Sequence, residues 1–157
     1  MDTRTITVVE RPEVSRLSIV LGFGPASLIV AGAVTALVAS GDGRTFALRL
    51  TTIYSAAILT FLAGVRRGLS FRTESGPTLA QLATVFAFFT LALVALFGTI
   101  TDHLRIAASA LVAGFAIAMV VDPVAATRGE APLFFRRLRP LQMAIATVGA
   151  LMLSVTA

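Results

Sequence analysis

The chain has 157 residues, and its composition of 57% hydrophobic and 13% charged side chains excludes an ordinary soluble domain. The formal net charge of +5 does not indicate nucleic-acid binding, because the arginines fall between apolar stretches, as membrane topology requires. The sequence contains no cysteine and only one histidine, His103, so we expect no disulfide, no metal site and no bound cofactor.

Five apolar stretches, nearly free of charge in their interiors, follow one another along the chain. A helix needs roughly 20 apolar residues to cross a bilayer core of about 30 Å. Pro77 is expected to open the third helix, Asp122 with Pro123 to end the fourth, and Pro140 to precede the fifth. The predicted spans cover residues 17–38, 46–65, 78–100, 104–121 and 141–155.

These spans predict an all-α membrane protein, with a cytoplasmic tail over 1–16 and a single five-helix transmembrane bundle over 17–157. A cleaved signal peptide is the alternative for the first span. Its apolar run is longer than the roughly 7–15 residues of such a peptide and contains Pro25, so we interpret it as part of the mature protein.

The arginines lie mainly in alternate connecting segments, and positively charged segments beside membrane helices stay in the cytoplasm. The N-terminus is therefore predicted inside and the C-terminus outside, in the periplasm, with the chain in the inner membrane of a bacterium. The cytoplasmic side holds Arg4, Arg11, Arg16, Arg66, Arg67, Arg72, Arg128, Arg136, Arg137 and Arg139, and the opposite side holds Arg44, Arg49 and Arg105.

Small residues recur at every fourth position in two of the spans and predict helix faces on which backbones approach closely. We expect these faces to pack mainly within the bundle, and association with another subunit is the alternative. The predicted packing seam consists of Ala56, Thr60, Gly64 and Gly68 in the second span and of Ala110, Gly114 and Ala118 in the fourth.

The last cytoplasmic segment, residues 132–140, interleaves aromatic and aliphatic side chains with arginines. It is interpreted as a topogenic anchor lying in the membrane interface. Two alternatives stay open, namely docking of a partner protein and a specific contact with anionic lipid. The candidate lipid contacts are Arg136, Arg137 and Arg139.

The span interiors carry hydroxyl groups but no carboxylate or histidine, whereas proton-coupled carriers usually have such groups in the membrane. Asp42, Asp102, His103 and Asp122 are expected at helix ends, where a solvated turn is a simpler interpretation than a catalytic pair. No nucleophile with a nearby base and no phosphate-binding glycine loop is visible. The sequence therefore predicts a protein that is not an enzyme.

The run over 54–69, YSAAILTFLAGVRRGL, resembles the signature of the transmembrane protein 69-like family. These are small multi-span proteins of bacterial and mitochondrial membranes, described as a domain of unknown function. The chain departs from the signature at Ala63, where the family has glycine, and at Arg67, where it has tryptophan. The resemblance implies no reaction or substrate, and it rests on Tyr54, Gly64, Arg66 and Gly68.

The expected function is that of a non-catalytic accessory, assembly or stabilising subunit of a larger membrane complex. The alternative is a small transporter, channel or lipid-handling protein that acts as an oligomer, and a membrane enzyme is a third hypothesis. The expected partners are membrane lipids and, in the first case, other integral membrane subunits, but not nucleic acid. A polar lining in the alternative would come from Thr51, Tyr54, Ser55 and Arg66.

Overall fold

The computed structural model describes residues 16–71 and 76–157, and this part of the chain consists of five α-helices with no strand. Each helix is long and apolar enough to cross a membrane, so the all-α class and the number of candidate spans are confirmed for these residues. Arg4, Arg11 and Arg72 lie outside them, as does nearly all of the predicted tail. The helices are α1 Arg16–Val38, α2 Gly41–Ser70, α3 Leu79–Ile100, α4 Leu104–Thr127 and α5 Phe135–Thr156.

The start of α3 follows from local chemistry. Thr78 caps the helix by accepting a hydrogen bond from the Gln81 backbone N–H at 3.2 Å, and the Gln81 side chain accepts one from the Thr78 N–H at 3.0 Å. This reciprocal capping box satisfies two N–H groups that have no partner inside the helix. The predicted start at residue 78 is therefore one residue from the observed one.

Helix α2 extends beyond the predicted span 46–65 at both ends, from Gly41 to Ser70. The predicted end of the fourth helix and the predicted start of the fifth are also wrong, and both involve proline. Helix α4 continues through Asp122 and Pro123 to Thr127, and α5 begins at Phe135 with Pro140 inside it. A proline removes one helical hydrogen bond, and packing of the surrounding turns offsets this loss. Most of the 132–140 segment therefore forms the first turns of α5, a candidate membrane span, and not a separate interfacial segment.

The two ends of the bundle differ in charge. At one end the Arg44 Nη2 donates to the Thr156 carbonyl at 2.6 Å, and Arg49 pairs with Asp102 in the α3–α4 turn. With Arg105, these arginines define the arginine-poor end. The arginine-rich end is defined by the remaining described arginines, which are Arg16, Arg66, Arg67, Arg128, Arg136, Arg137 and Arg139.

Each helix packs against its neighbours in the chain, α1 also packs against α5, and α2 additionally contacts α4 and α5. Helix α2 therefore contacts all the others. The central core contains the fully buried side chains of Ile29, Leu59, Phe88, Leu111 and Phe115.

The predicted packing seam holds on α4 but only in part on α2. Gly114 leaves room for Leu59, and Ala110 and Ala118 are buried. Gly64 and Gly68 are exposed, and within the described ranges no atom lies within 4 Å of a Cβ added at either position. Successive fourth positions are offset by about 40° around a helix, so the stripe that begins at buried Ala56 turns away from the core before it reaches Gly64.

Candidate ligand site at the arginine-rich end

A buried carboxylate lies between two arginines at the arginine-rich end. The Arg66 Nη1 donates to Asp122 Oδ1 at 2.9 Å, and the Arg139 Nε lies 3.4 Å from Asp122 Oδ2. The exposed fractions of the Asp122, Arg66 and Arg139 side chains are 2%, 8% and 12%. These three residues, here called the arginine–aspartate cluster, join α2, α4 and α5 and carry a net positive charge.

The helix ends explain why these residues meet. Arg66 and Asp122 each precede the end of their helix by little more than one turn, and Arg139 follows the start of α5 by a similar distance. An unpaired carboxylate at the centre of a membrane helix costs about 2.5–3.5 kcal/mol. Pairing with arginines that are also one turn inside the bundle offsets this penalty, so α4 can continue past Asp122.

A cavity of about 290 Å³ lies beside the cluster, between α1, α2 and α5. This volume is near the lower limit of small-molecule pockets, roughly 300–1,000 Å³. Its rim includes Leu21 and Phe61, each 65% exposed, so the cavity opens on the outer surface between α1 and α2. Its walls are mainly apolar and include Ala26, Leu62, Val65, Leu138 and Met143.

Two polar side chains of α5 reach this cavity, Arg139 and Gln142. Arg139 directs its Nε towards Asp122 and stacks on the Phe135 ring at 4.3 Å, and neither terminal nitrogen makes a hydrogen bond in the described part of the chain. Gln142 is only 3% exposed, and its amide packs against Gly22, where a Cβ would overlap with it. Within residues 16–71 and 76–157, the Gln142 side chain has no hydrogen-bond partner.

Pro25 forms part of the cavity wall nearest the bundle centre. The Tyr54 hydroxyl donates to the Pro25 carbonyl at 3.4 Å and so links α2 to α1. Because proline has no N–H, the Leu21 carbonyl, one turn earlier, lacks its helical donor. Leu21 and Pro25 both line the cavity, so its α1 wall carries a backbone acceptor beside apolar groups.

The predicted site residues separate into different regions. Tyr54 and Arg66 of the family signature lie beside the cavity and in the cluster, whereas Gly64 and Gly68 lie on the exposed face of α2. Arg136 and Arg137 are exposed at the arginine-rich end, but Arg139 turns into the bundle. The three arginines therefore do not form one lipid-facing group, contrary to the prediction.

The predicted polar lining is also wrong. Ser55 is buried and donates to the Thr51 carbonyl of its own helix at 2.7 Å, and Thr51 packs against Gly32 of α1. Neither contributes to the cavity. At the other end of the bundle His103 is exposed, with its Nδ1 3.1 Å from the Thr101 hydroxyl, and the described residues contain no group of three or more potential metal ligands.

The arginine–aspartate cluster is the main feature that the sequence interpretation missed. The charge of Asp122 and the proline after it predict the end of the fourth span at this position, whereas α4 continues to Thr127. The residues that follow, Val124, Ala125 and Ala126, are again apolar. That continuation was the available signal that the helix extends past Asp122 and that the carboxylate needs a partner inside the bundle.

Comparisons of the chain with protein-family models, with curated proteins and with solved structures found no match. The resemblance to the transmembrane protein 69-like family therefore stays a prediction.

Proposed function

We propose that this multi-pass membrane protein is a non-catalytic lipid-handling protein that binds an amphipathic molecule in the cavity between α1, α2 and α5. The observation that supports the proposal is an apolar cavity that opens between two candidate membrane spans and has a guanidinium in its wall. An apolar chain enters such a cavity from the bilayer without crossing water, while its polar head stays near Arg139.

The length of the cavity favours binding over conduction. Along α1 it extends from Ser18 to Ala26, which is about 12 Å at 1.5 Å per residue, whereas the bilayer core is about 30 Å thick. Its polar side chains are Ser18, Arg139 and Gln142. A guanidinium and an amide orient a ligand but are poor proton acceptors and nucleophiles, so we propose binding without catalysis.

We propose that the arginine-rich end faces the cytoplasm of a bacterial inner membrane, because positively charged segments stay inside. The cavity then lies at the depth of the inner leaflet. Reporter fusions test this orientation: a fusion at the C-terminus is expected to report the periplasm and one at the N-terminus the cytoplasm. A result that places both reporters in the same compartment would contradict this orientation.

Because the chain contains no tryptophan, a single reporter can be introduced at the cavity rim. We propose Phe61→Trp, with Phe86→Trp on α3 as a matched control, since both phenylalanines are 65% exposed and only Phe61 lines the cavity. Amphiphiles with bromine in the chain, brominated dodecanoate and brominated dodecanol, quench nearby tryptophan. At least one of them is expected to quench Phe61→Trp saturably, while Phe86→Trp shows only the non-saturating quenching of an exposed membrane position.

Equal quenching of the two tryptophan variants by both amphiphiles would reject the lipid-handling proposal. Such a result would mean that the rim of the cavity meets bulk lipid and that no molecule binds there selectively.

An accessory-subunit role is the second candidate, and exposed Gly64 and Gly68 favour it. Space around both positions on α2 would let a partner helix approach closely. Replacement Gly64→Leu is expected to abolish co-purification of a partner subunit while leaving the thermal stability of the isolated protein unchanged. Retention of all co-purifying subunits after this replacement would argue against a partner at this face.

A further inference from the structure

We infer that the cavity selects an anionic amphiphile, in which an oxyanion at the end of an apolar chain binds the terminal nitrogens of Arg139 and the amide of Gln142. This inference rests on the proposed lipid-handling function and adds the charge of the ligand to it. The shared chemistry is that of a fatty-acid carboxylate or a lipid phosphate.

The charge balance beside the cavity favours an anion. Two guanidiniums share the single carboxylate of Asp122, and guanidinium groups stay protonated. Of the other described acidic residues, Asp42 and Asp102 lie at the arginine-poor end, and Glu130 adjoins Arg66, not the cavity. An oxyanion against Arg139 would give this guanidinium, which shares Asp122 with Arg66, an acceptor of its own in a largely apolar setting.

Gln142 is a second and independent indication of a ligand. Its side chain is almost fully buried, lines the cavity and has no hydrogen-bond partner among the described residues. Gly22 leaves the space that the amide occupies, so the amide stays at the cavity wall, where a ligand can reach it. Because Arg139 can only donate, a ligand that uses both groups must supply acceptor oxygens, which is the chemistry of a carboxylate or phosphate.

The position of the two groups also suits an amphiphile. Arg139 and Gln142 lie on one face of α5, three residues apart, and the same face continues through Met143 and Ala146 along the apolar wall. An oxyanion held at Arg139 therefore leaves its chain beside apolar side chains that lead to the opening between Leu21 and Phe61.

The experiment compares head groups on one chain length, using the Phe61→Trp protein in detergent. Brominated dodecanoate is expected to reach half-maximal quenching at a concentration about tenfold or more below that of brominated dodecanol, which corresponds to one charged hydrogen bond. Arg139→Gln and Gln142→Leu are each expected to reduce this preference. The matched controls are Arg136→Gln and Arg137→Gln, because both side chains are exposed neighbours of Arg139. Each control is expected to leave the preference for the carboxylate over the alcohol unchanged.

A further variant tests the head-group contact without removing the ion pair of Arg139. Gln142→Glu adds a negative charge at the cavity wall and is expected to reverse the preference, so that the alcohol binds better than the carboxylate. Competition against brominated dodecanoate by unlabelled dodecyl phosphate and unlabelled dodecanoate then distinguishes a lipid phosphate from a fatty-acid carboxylate. Stronger displacement by dodecyl phosphate indicates a phosphate lipid, and stronger displacement by dodecanoate indicates a fatty acid. Inorganic phosphate alone is expected not to compete.

The failure of this inference is distinguishable from the failure of the proposed function. Saturable quenching with equal affinity for the acid and the alcohol would overturn the inference and leave lipid handling supported. An unchanged preference in both Gln142→Leu and Gln142→Glu would likewise overturn it. Absence of saturable quenching by either amphiphile would reject the lipid-handling proposal itself.

Discussion

The two ends of the bundle each contain an arginine–aspartate pair. The two pairs have the same side-chain chemistry but differ in solvent exposure. Arg49 and Asp102 at the arginine-poor end are 42% and 69% exposed, whereas Arg66 and Asp122 at the arginine-rich end are 8% and 2% exposed. Exposed pairs typically contribute about 0–1 kcal/mol. Loss of one partner from a buried pair costs several-fold more, because the remaining charge stays buried.

The packing of α1, α2 and α5 also differs between the arginine-poor end and the arginine-rich end. Near the arginine-poor end a cluster of small side chains, including Ala33, Ala36, Ala47 and Ala108, brings the helices close together. Near the arginine-rich end α1, α2 and α5 leave a cavity between larger side chains. Close packing and buried charge thus lie in different halves of the described bundle, and the cavity between α1, α2 and α5 lies in the half with the buried charge.

The replacement Asp122→Asn is expected to lower the free energy of unfolding more than any of the other replacements below. It leaves two buried guanidiniums without a carboxylate, and the expected loss of unfolding free energy is about 3 kcal/mol or more. Thermal unfolding in detergent measures the change. A decrease no larger than that caused by Asp102→Asn would contradict the difference between the two ends.

A smaller loss is expected from Gly149→Ala, which tests the close contact of α1 with α5. A Cβ at this position would lie 2.8 Å from Ile29 Cγ2 and 3.1 Å from the Val30 nitrogen, so the helices must move apart. Overpacking of this kind costs about 1–3 kcal/mol. Gly24→Ala is the control, because a Cβ there meets nothing among the described residues, and equal unfolding temperatures for the two variants would refute the close contact.

Asp102→Asn should change stability by at most about 1 kcal/mol, because the Arg49 and Asp102 side chains are 42% and 69% exposed. Asp102 has a φ of 62°, a left-handed conformation that asparagine also tolerates, so this replacement removes the charge without adding backbone strain. Chemical unfolding in mild detergent resolves a difference of this size. A loss as large as that of Asp122→Asn would show that solvent exposure does not weaken this pair.

The smallest effect on the fold is expected from Arg136→Gln combined with Arg137→Gln. Both side chains are exposed, so unfolding should be unchanged, while retention of anionic lipid during purification should fall by up to about fivefold for each arginine. Native mass spectrometry of the protein with mixed lipids measures this retention. Unchanged retention would leave these arginines with a topogenic role alone.

The sequence interpretation succeeded where a feature depends on neighbouring residues. The five spans follow from the lengths of apolar runs, and Pro77 predicts a third span that begins at residue 78, one residue before α3 begins. It failed at Asp122, because a charged residue followed by proline is also the local pattern of a helix end. It failed at Gly64 as well, because a periodic stripe of small residues does not specify where a helix turns away from its neighbours.

By itself, the amino-acid sequence determined that this protein forms five apolar helices, since the length of an apolar run is a local property. Only the tertiary structure decided which charges are buried. Arg66 and Asp122 are 56 residues apart in the chain, and Arg139 differs from Arg136 and Arg137 only in the direction in which it leaves α5. The physical reason is that a charge is stable inside an apolar bundle only when an opposite charge from another helix meets it, and that meeting depends on how the helices pack.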